Sequence, residues 1–221
     1  MVSFKNFYLG GSLIVMQIRY ATNLSAEQYV RQQAWHAATL NQCPLHPQGG
    51  CRFSKHGTYP RKFPEGTKIA RWYCADGHMS FSLLPDCLAS RLPGTLLEIE
   101  DVVAKVENSP SQEAAADVIR IDIELPGALR WMRRRIFLVK VALRILIELL
   151  PGLFADCLPS LLSFRSVLGI DYVLPQLRIL AEGNLYILPP PIGFGPRPAA
   201  KNLKKSRFQH PTGTDPPLKR V

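Results

Sequence analysis

The sequence predicts an α+β protein that is mostly helical. A small β unit sits around a Cys/His cluster, and a trihelical unit occupies the C-terminal part. Three observations predict this. Cys43, His46, Cys51, Cys74 and His78 bracket a segment with hairpin character. From position 95 onward, apolar residues recur at helical spacing. Finally, 27 Lys and Arg against 17 Asp and Glu in 221 residues are segregated into blocks, which points to a polyanionic partner. A hydrophobic content of 47% excludes a disordered chain, and 19 prolines exclude one continuous helical array.

Composition divides the chain into four regions. Residues 1–42 form an N-terminal extension with one helix, 43–93 hold the Cys/His unit, 94–188 are helical, and 189–221 are a Pro-rich basic tail expected to be disordered. In the first region, Asn23 or Ser25 caps a helix running from Ala26 to Leu40. The apolar run Phe7 to Ile18 resembles a leader faintly, but Gly10, Gly11, Ser12 and Gln17 break it and no small-x-small cleavage site follows. A cytoplasmic protein is the expectation, and Met16 is an alternative start. The run Ile136 to Leu150 carries Lys140, Arg144 and Glu148, and a membrane span needs about 20 residues with few charges, so no membrane partner is expected.

An odd cysteine count, with residues at 43, 51, 74, 87 and 157, argues against a disulfide framework and for metal. Cys43 to Cys51 is followed after a 22-residue spacer by Cys74 and His78. Two ligand pairs on tight turns, joined by a hairpin, are what a zinc ribbon requires. Pro44, Gly49, Gly50 and Gly77 suit such turns. Phe53–Tyr59 and Thr67–Tyr73 are strand-compatible, and Pro64-Glu65-Gly66 signals the turn between them. The expected ligands are Cys43, Cys51, Cys74 and His78. His46, two residues beyond Cys43-Pro44, is the alternative. Zinc held by four protein ligands would be structural, since no position stays open for water or substrate. Cys87 and Cys157 lie in apolar settings and are expected to pack in cores.

The run Cys51-Arg-Phe-Ser-Lys-His-Gly57-Thr-Tyr59-Pro-Arg61, then Arg71-Trp72-Tyr73-Cys74 and Phe81-Ser-Leu-Leu-Pro85, resembles the zinc ribbon of insertion-sequence transposases and their accessory proteins. That family's second knuckle reads R-x-x-C-x-x-C, where this chain has His78, and its exit reads T-F-S, where this chain has Met79-Ser80-Phe81-Ser82.

Thr95 and Glu98 form a capping box for a helix with apolar positions 96, 99, 102, 103 and 106, and Asn108-Ser109-Pro110 ends it. Ser111 caps a second helix through Glu113-Ala114-Ala115-Ala116. After a break at Leu125-Pro126-Gly127, a third helix runs from about Ala128 to Leu150. Its apolar seam is 129, 132, 136, 139, 143, 146 and 150. These three helices, with Leu129-Arg-Trp-Met-Arg-Arg-Arg135 on the third, resemble the helix-turn-helix of the same proteins. The resemblance implies DNA contact through basic side chains in a major groove.

The expected nucleic-acid contacts are Lys55, Arg61, Lys62, Arg71, Arg130, Arg133, Arg134 and Arg135. Tyr59, Trp72 and Tyr73 are candidates for base stacking or for packing against a neighbouring helix, and His56 and His210 for phosphate contacts. Nucleophile elbow, P-loop, dinucleotide fingerprint and H-E-x-x-H are all missing, and too few acids follow the three helices for a carboxylate-bearing transposase domain. The expectation is therefore a non-enzymatic DNA-binding protein connected with transposition or its regulation, with no small-molecule substrate. A homo-oligomer or a transposition protein would be its protein partner. The alternative is a zinc-stabilised interaction module using the Ile136–Leu150 seam. A third reading is RNA binding through the ribbon and tail.

Overall fold

The computed structural model describes residues 15–119 and 125–196. It is α+β, with a four-stranded mixed sheet in the N-terminal half and a helical layer after it. The strands are β1 (Val15–Tyr20), β2 (Phe53–Pro60), β3 (Lys68–Cys74) and β4 (Met79–Pro85), in the order β1-β4-β3-β2. β2, β3 and β4 pair antiparallel in sequence, whereas β1 runs parallel to β4 with Gln17 opposite Ser82.

The expected β2–β3 hairpin forms within a residue of its sequence boundaries. Its register shifts between Lys55 and Thr58, where Gly57 takes φ +74°, a conformation open to glycine. Two strands differ from expectation. The segment ending the leader-like run is β1, and the stretch expected as the ribbon's exit is β4, an inner strand with all seven residues buried. Parallel pairing of residues 65 apart leaves no local turn signal, so β1 does not announce its partner. The N-terminal extension thus shares a sheet with the Cys/His unit. Residues 1–14, including most of the leader-like run, lie outside the described residues.

α1 (Ala26–Arg31) has the Ser25 cap and a capping box with Gln28, but it is shorter than expected. Gln33 at φ +49° turns the chain, which lets Ala34, Trp35 and Ala38 join Tyr29 against Ala70 and Leu83 of the sheet. Burial of Trp35 outweighs continuation of the helix.

The helical half contains α2 (Leu96–Glu107), α3 (Gln112–Ile119), α4 (Leu125–Leu149), α5 (Pro151–Phe154), α6 (Leu161–Leu168) and α7 (Val173–Leu180). The Thr95–Glu98 capping box and the Ser111 cap are present. α4 is 25 residues long and starts earlier than expected. Leu125-Pro126-Gly127 is its first turn, where a proline costs no hydrogen bond. Met132, Ile136, Val139, Leu143 and Leu146 of the expected seam are buried, and Leu129 and Leu150 are half-buried. The seam packs within this chain, against α2, α3 and α5. The α3–α4 connection at 120–124 lies outside the described residues. No helix among the described residues is long and apolar enough to cross a membrane.

Two acids of α2 organise the later helices. The fully buried Glu100 accepts from the N–H groups of Val173 and Leu174 at 2.9 and 2.8 Å and from Arg165 at 3.0 Å. It therefore caps α7 through the helix dipole and a charged partner at once. Glu107 accepts from the Leu161 N–H at 3.1 Å at the start of α6.

The halves are joined by arginines. Arg178 of α7 is fully buried and donates to the carbonyls of Pro85, Asp86, Leu88, Pro191 and Ile192. Burial lowers its pKa to about 9. Arg19 of β1 binds Asp86 at 2.7 and 2.9 Å and Glu182 at 2.8 Å. The beginning of the Pro-rich region, Pro189 to Gly193, is therefore buried structure rather than tail. Residues 197–221, with the rest of the expected disordered tail, lie outside the described residues.

Candidate metal centre

Cys43, His46, Cys51 and Cys74 each place a ligand atom within 4.8 Å of the other three, and together they could hold a metal ion. Three donors come from the loop after α1 and one from the last residue of β3. The split is three plus one, where the ribbon expectation was two plus two. His46 Nδ1 lies 3.5 Å from Cys43 Sγ and 3.4 Å from Cys74 Sγ. A tight turn sets this up: the His46 N–H donates to the Cys43 carbonyl at 3.1 Å, so donors three residues apart face the same side.

His78, an expected ligand, is outside the cluster. It is exposed and ends the four-residue β3–β4 turn at φ +47°. The next residue, Met79, pairs with Cys74 across the hairpin, so the turn directs His78 away from the sulfur. Cys-x-x-His at Cys43 is the tighter spacing, and the alternative ligand His46 takes the fourth place.

Neighbouring groups support the cluster. The Gly77 N–H donates to Cys74 Sγ at 3.3 Å. A Cβ on Gly77 would stand 2.3 Å from the end of the Leu45 side chain, which packs over the same loop. Arg52 and Asp76 tie β2 to the β3–β4 turn, with contacts of 2.6 Å from the Arg52 N–H and 2.9 Å from Nη2. The Arg52 hydrogen bonds hold the Asp76 carboxyl below its usual range.

Cys43 and Cys74 are buried and Cys51 is half-buried. All five cysteines are free thiols. Desolvation, then the crowding by Cys43 and Cys74, push the Cys51 thiol up to about 12. A bound cation inverts this, because a coordinating thiol loses its proton outright. Three thiolates and one imidazole form a soft, four-donor set that suits tetrahedral zinc.

The expected nucleic-acid residues separate into three groups. Arg61 and Arg135 are not surface cations. Arg61 donates to the carbonyls of Phe63, Ala89, Leu92 and Gly94, and its burial lowers its pKa. Arg135 is buried on α4 and stacks on Trp131 at 3.6 Å. Lys55, Lys62 and Arg71 lie on or beside the sheet. The Lys55 ammonium donates to the His36 carbonyl at 3.0 Å, Lys62 stands 5.6 Å from the Phe63 ring, and Arg71 stands 5.8 Å from the Tyr59 ring.

Arg130, Arg133 and Arg134 are exposed on α4. At 100° per residue they share one flank with Lys140, Arg144 and the exposed Phe137, opposite the buried seam. Arg133 also binds Gln112 at 2.9 Å. Sequence reasoning missed Arg178 and Glu100 as structural centres, since only their burial distinguishes them from surface charges.

Compared with known protein families, characterised proteins and solved structures, the chain matches none of them.

Proposed function

We propose that this is a non-enzymatic DNA-binding protein. A structural zinc ion fastens its sheet half, and the exposed basic flank of α4 meets the duplex. The observation that carries the reading is the placement of Arg130, Arg133, Arg134, Lys140 and Arg144 on one side of a helix whose other side is rigidly packed. At about 1.5 Å per residue, Arg130 to Arg144 cover about 21 Å, a length that meets several phosphates. The resemblance to mobile-element recognition domains favours duplex DNA as the polyanion and a role in transposition or its regulation. Four protein ligands around zinc leave no open position for chemistry, which fits a binding protein rather than an enzyme.

A labelled duplex titrated at several salt concentrations tests this. Binding should weaken with salt, with a log–log slope of about −0.9 per phosphate contact. The double change Arg133→Ala and Arg134→Ala should flatten that slope by about two contacts. Duplex affinity unaltered by the double change would remove α4 from the reading.

An interaction module is the second reading. The seam expected to serve it is buried within the chain, but Leu158, Leu162 and Val167 around α6 are 70%, 72% and 52% exposed. A concentration-dependent complex lost on Leu162→Lys, without duplex binding, would favour it.

A further inference from the structure

Three of the four metal donors are sulfurs, and they differ in access. Cys43 and Cys74 are buried, whereas Cys51 is half-buried. All three sulfurs lie within 4.8 Å of one another. Cys74 is set in β3, paired with Phe53 on one side and Met79 on the other. The chain leading into Cys51 has room to shift. Gly49 and Gly50 take φ +81° and +79°, and neither has a neighbouring atom within 4 Å of where a side chain would begin. One reachable sulfur thus stands beside two sheltered ones. The other two cysteines lie elsewhere, Cys157 in the helical core and Cys87 beside Ile69, Leu84 and Leu88.

That arrangement has a redox chemistry that a solitary thiol lacks. A coordinated sulfur is a thiolate, and the thiolate is the form that attacks an oxidant. Redox-sensing cysteines are thiolates within reach of solvent, with a second sulfur poised to resolve the oxidised one. Cys51 in the metal-bound centre meets both conditions.

We infer that Cys51 is a reversible oxidation site for hydrogen peroxide, and that its oxidation empties the metal centre. The inference rests on the metal reading above. The Cys51 thiolate attacks one peroxide oxygen; the O–O bond breaks, leaving a sulfenic acid on Cys51 and releasing hydroxide. The thiolate of Cys43 or Cys74 then attacks the Cys51 sulfur, forms the S–S bond and expels a second hydroxide. Two electrons pass from the two sulfurs to the peroxide. One thiolate and His46 remain, too few to hold a tetrahedral ion, so the site gives up its metal. A dithiol returns the two electrons and restores the donors.

The test treats the full chain, loaded with zinc and freed of reductant, with hydrogen peroxide. A chromophoric indicator reads released zinc, and peptide mass mapping reads the sulfurs. Bound zinc should be released as a disulfide from Cys51 to Cys43 or Cys74 appears, and dithiothreitol with added zinc should restore the loaded centre. Cys87→Ser with Cys157→Ser should leave the rate of release unchanged. Cys51→His keeps four donors and removes the reachable sulfur, and should hold its zinc through the same treatment. If Cys51→His fails to load, dimedone trapping in the unaltered chain serves instead, and Cys51 should be the first sulfur labelled. Zinc retained under peroxide, a disulfide that excludes Cys51, or release that dithiothreitol does not reverse would overturn the inference while leaving the metal reading intact. A chain that takes up no zinc at the outset would overturn both.

Discussion

The sheet half and the helical half are held by different means. Among the described residues, the helical half gathers 27 buried apolar side chains in a single cluster that draws on every helix from α2 to α7. The sheet half has thirteen, divided among three small clusters. A fold with so little apolar burial is marginal unless something else fastens it. The four Cys/His donors lie where that fastening is needed. They bring the loop after α1 up to the end of β3, where Phe53 already pairs with Cys74. The lesson is that the four Cys/His donors lie in the half of the molecule with the smaller apolar core.

The largest expected effect follows from that contrast. Cys74→Ser, or a strong chelator, should unfold the sheet half, since structural zinc supplies about 10–16 kcal/mol of apparent binding free energy in small zinc-finger peptides. Limited proteolysis should then cut within residues 15–85 while helical circular dichroism largely persists. Collapse of both halves together would mean that Arg178 and Arg19 couple them more tightly than the separate cores suggest.

Helical-core changes should do the opposite. Leu143→Ala removes a fully buried seam residue and should cost about 2–5 kcal/mol in thermal or denaturant unfolding, with zinc content unchanged. Glu100→Ala strands two helix-terminal N–H groups and the Arg165 guanidinium, and should cost about 3 kcal/mol by the same measurement.

A pH titration sharpens the comparison further. Without metal, burial pushes the Cys51 thiol up to about 12, and a coordinated metal would displace its proton. Metal affinity should therefore fall as pH falls, and the sheet half should loosen in mild acid before the helical half. The reverse order, in a zinc-release assay run beside circular dichroism, would contradict the assignment of the metal to the sheet.

Much of this was legible in the sequence where the signal is local. The Thr95–Glu98 box, the Ser111 and Ser25 caps, the β2–β3 hairpin and the α4 seam each depend on residues a few positions apart. Cys43, Cys51 and Cys74 were legible because thiols at turns have few other uses in a chain with an odd cysteine count. What was not legible depends on distant partners. β1 pairs with β4 between residues 65 apart, and α1 stops where Trp35 finds the sheet. Arg61 and Arg135 read as surface cations because sequence does not reveal that carbonyls and an indole surround them. The spacing favoured His78 over His46 as the fourth donor, whereas the fold brings His46 to the three cysteines.

In the proposed reading, Cys43, His46, Cys51 and Cys74 hold one structural metal ion that stabilises the sheet half. The most direct measurement is zinc per chain in the purified full-length protein and in His46→Ala and His78→Ala variants, with circular dichroism before and after chelation. About one zinc per chain is expected. The metal should be retained in His78→Ala, weakened or lost in His46→Ala, and accompanied by loss of sheet structure on removal. A folded sheet half without metal, or metal lost with His78 and kept without His46, would contradict it.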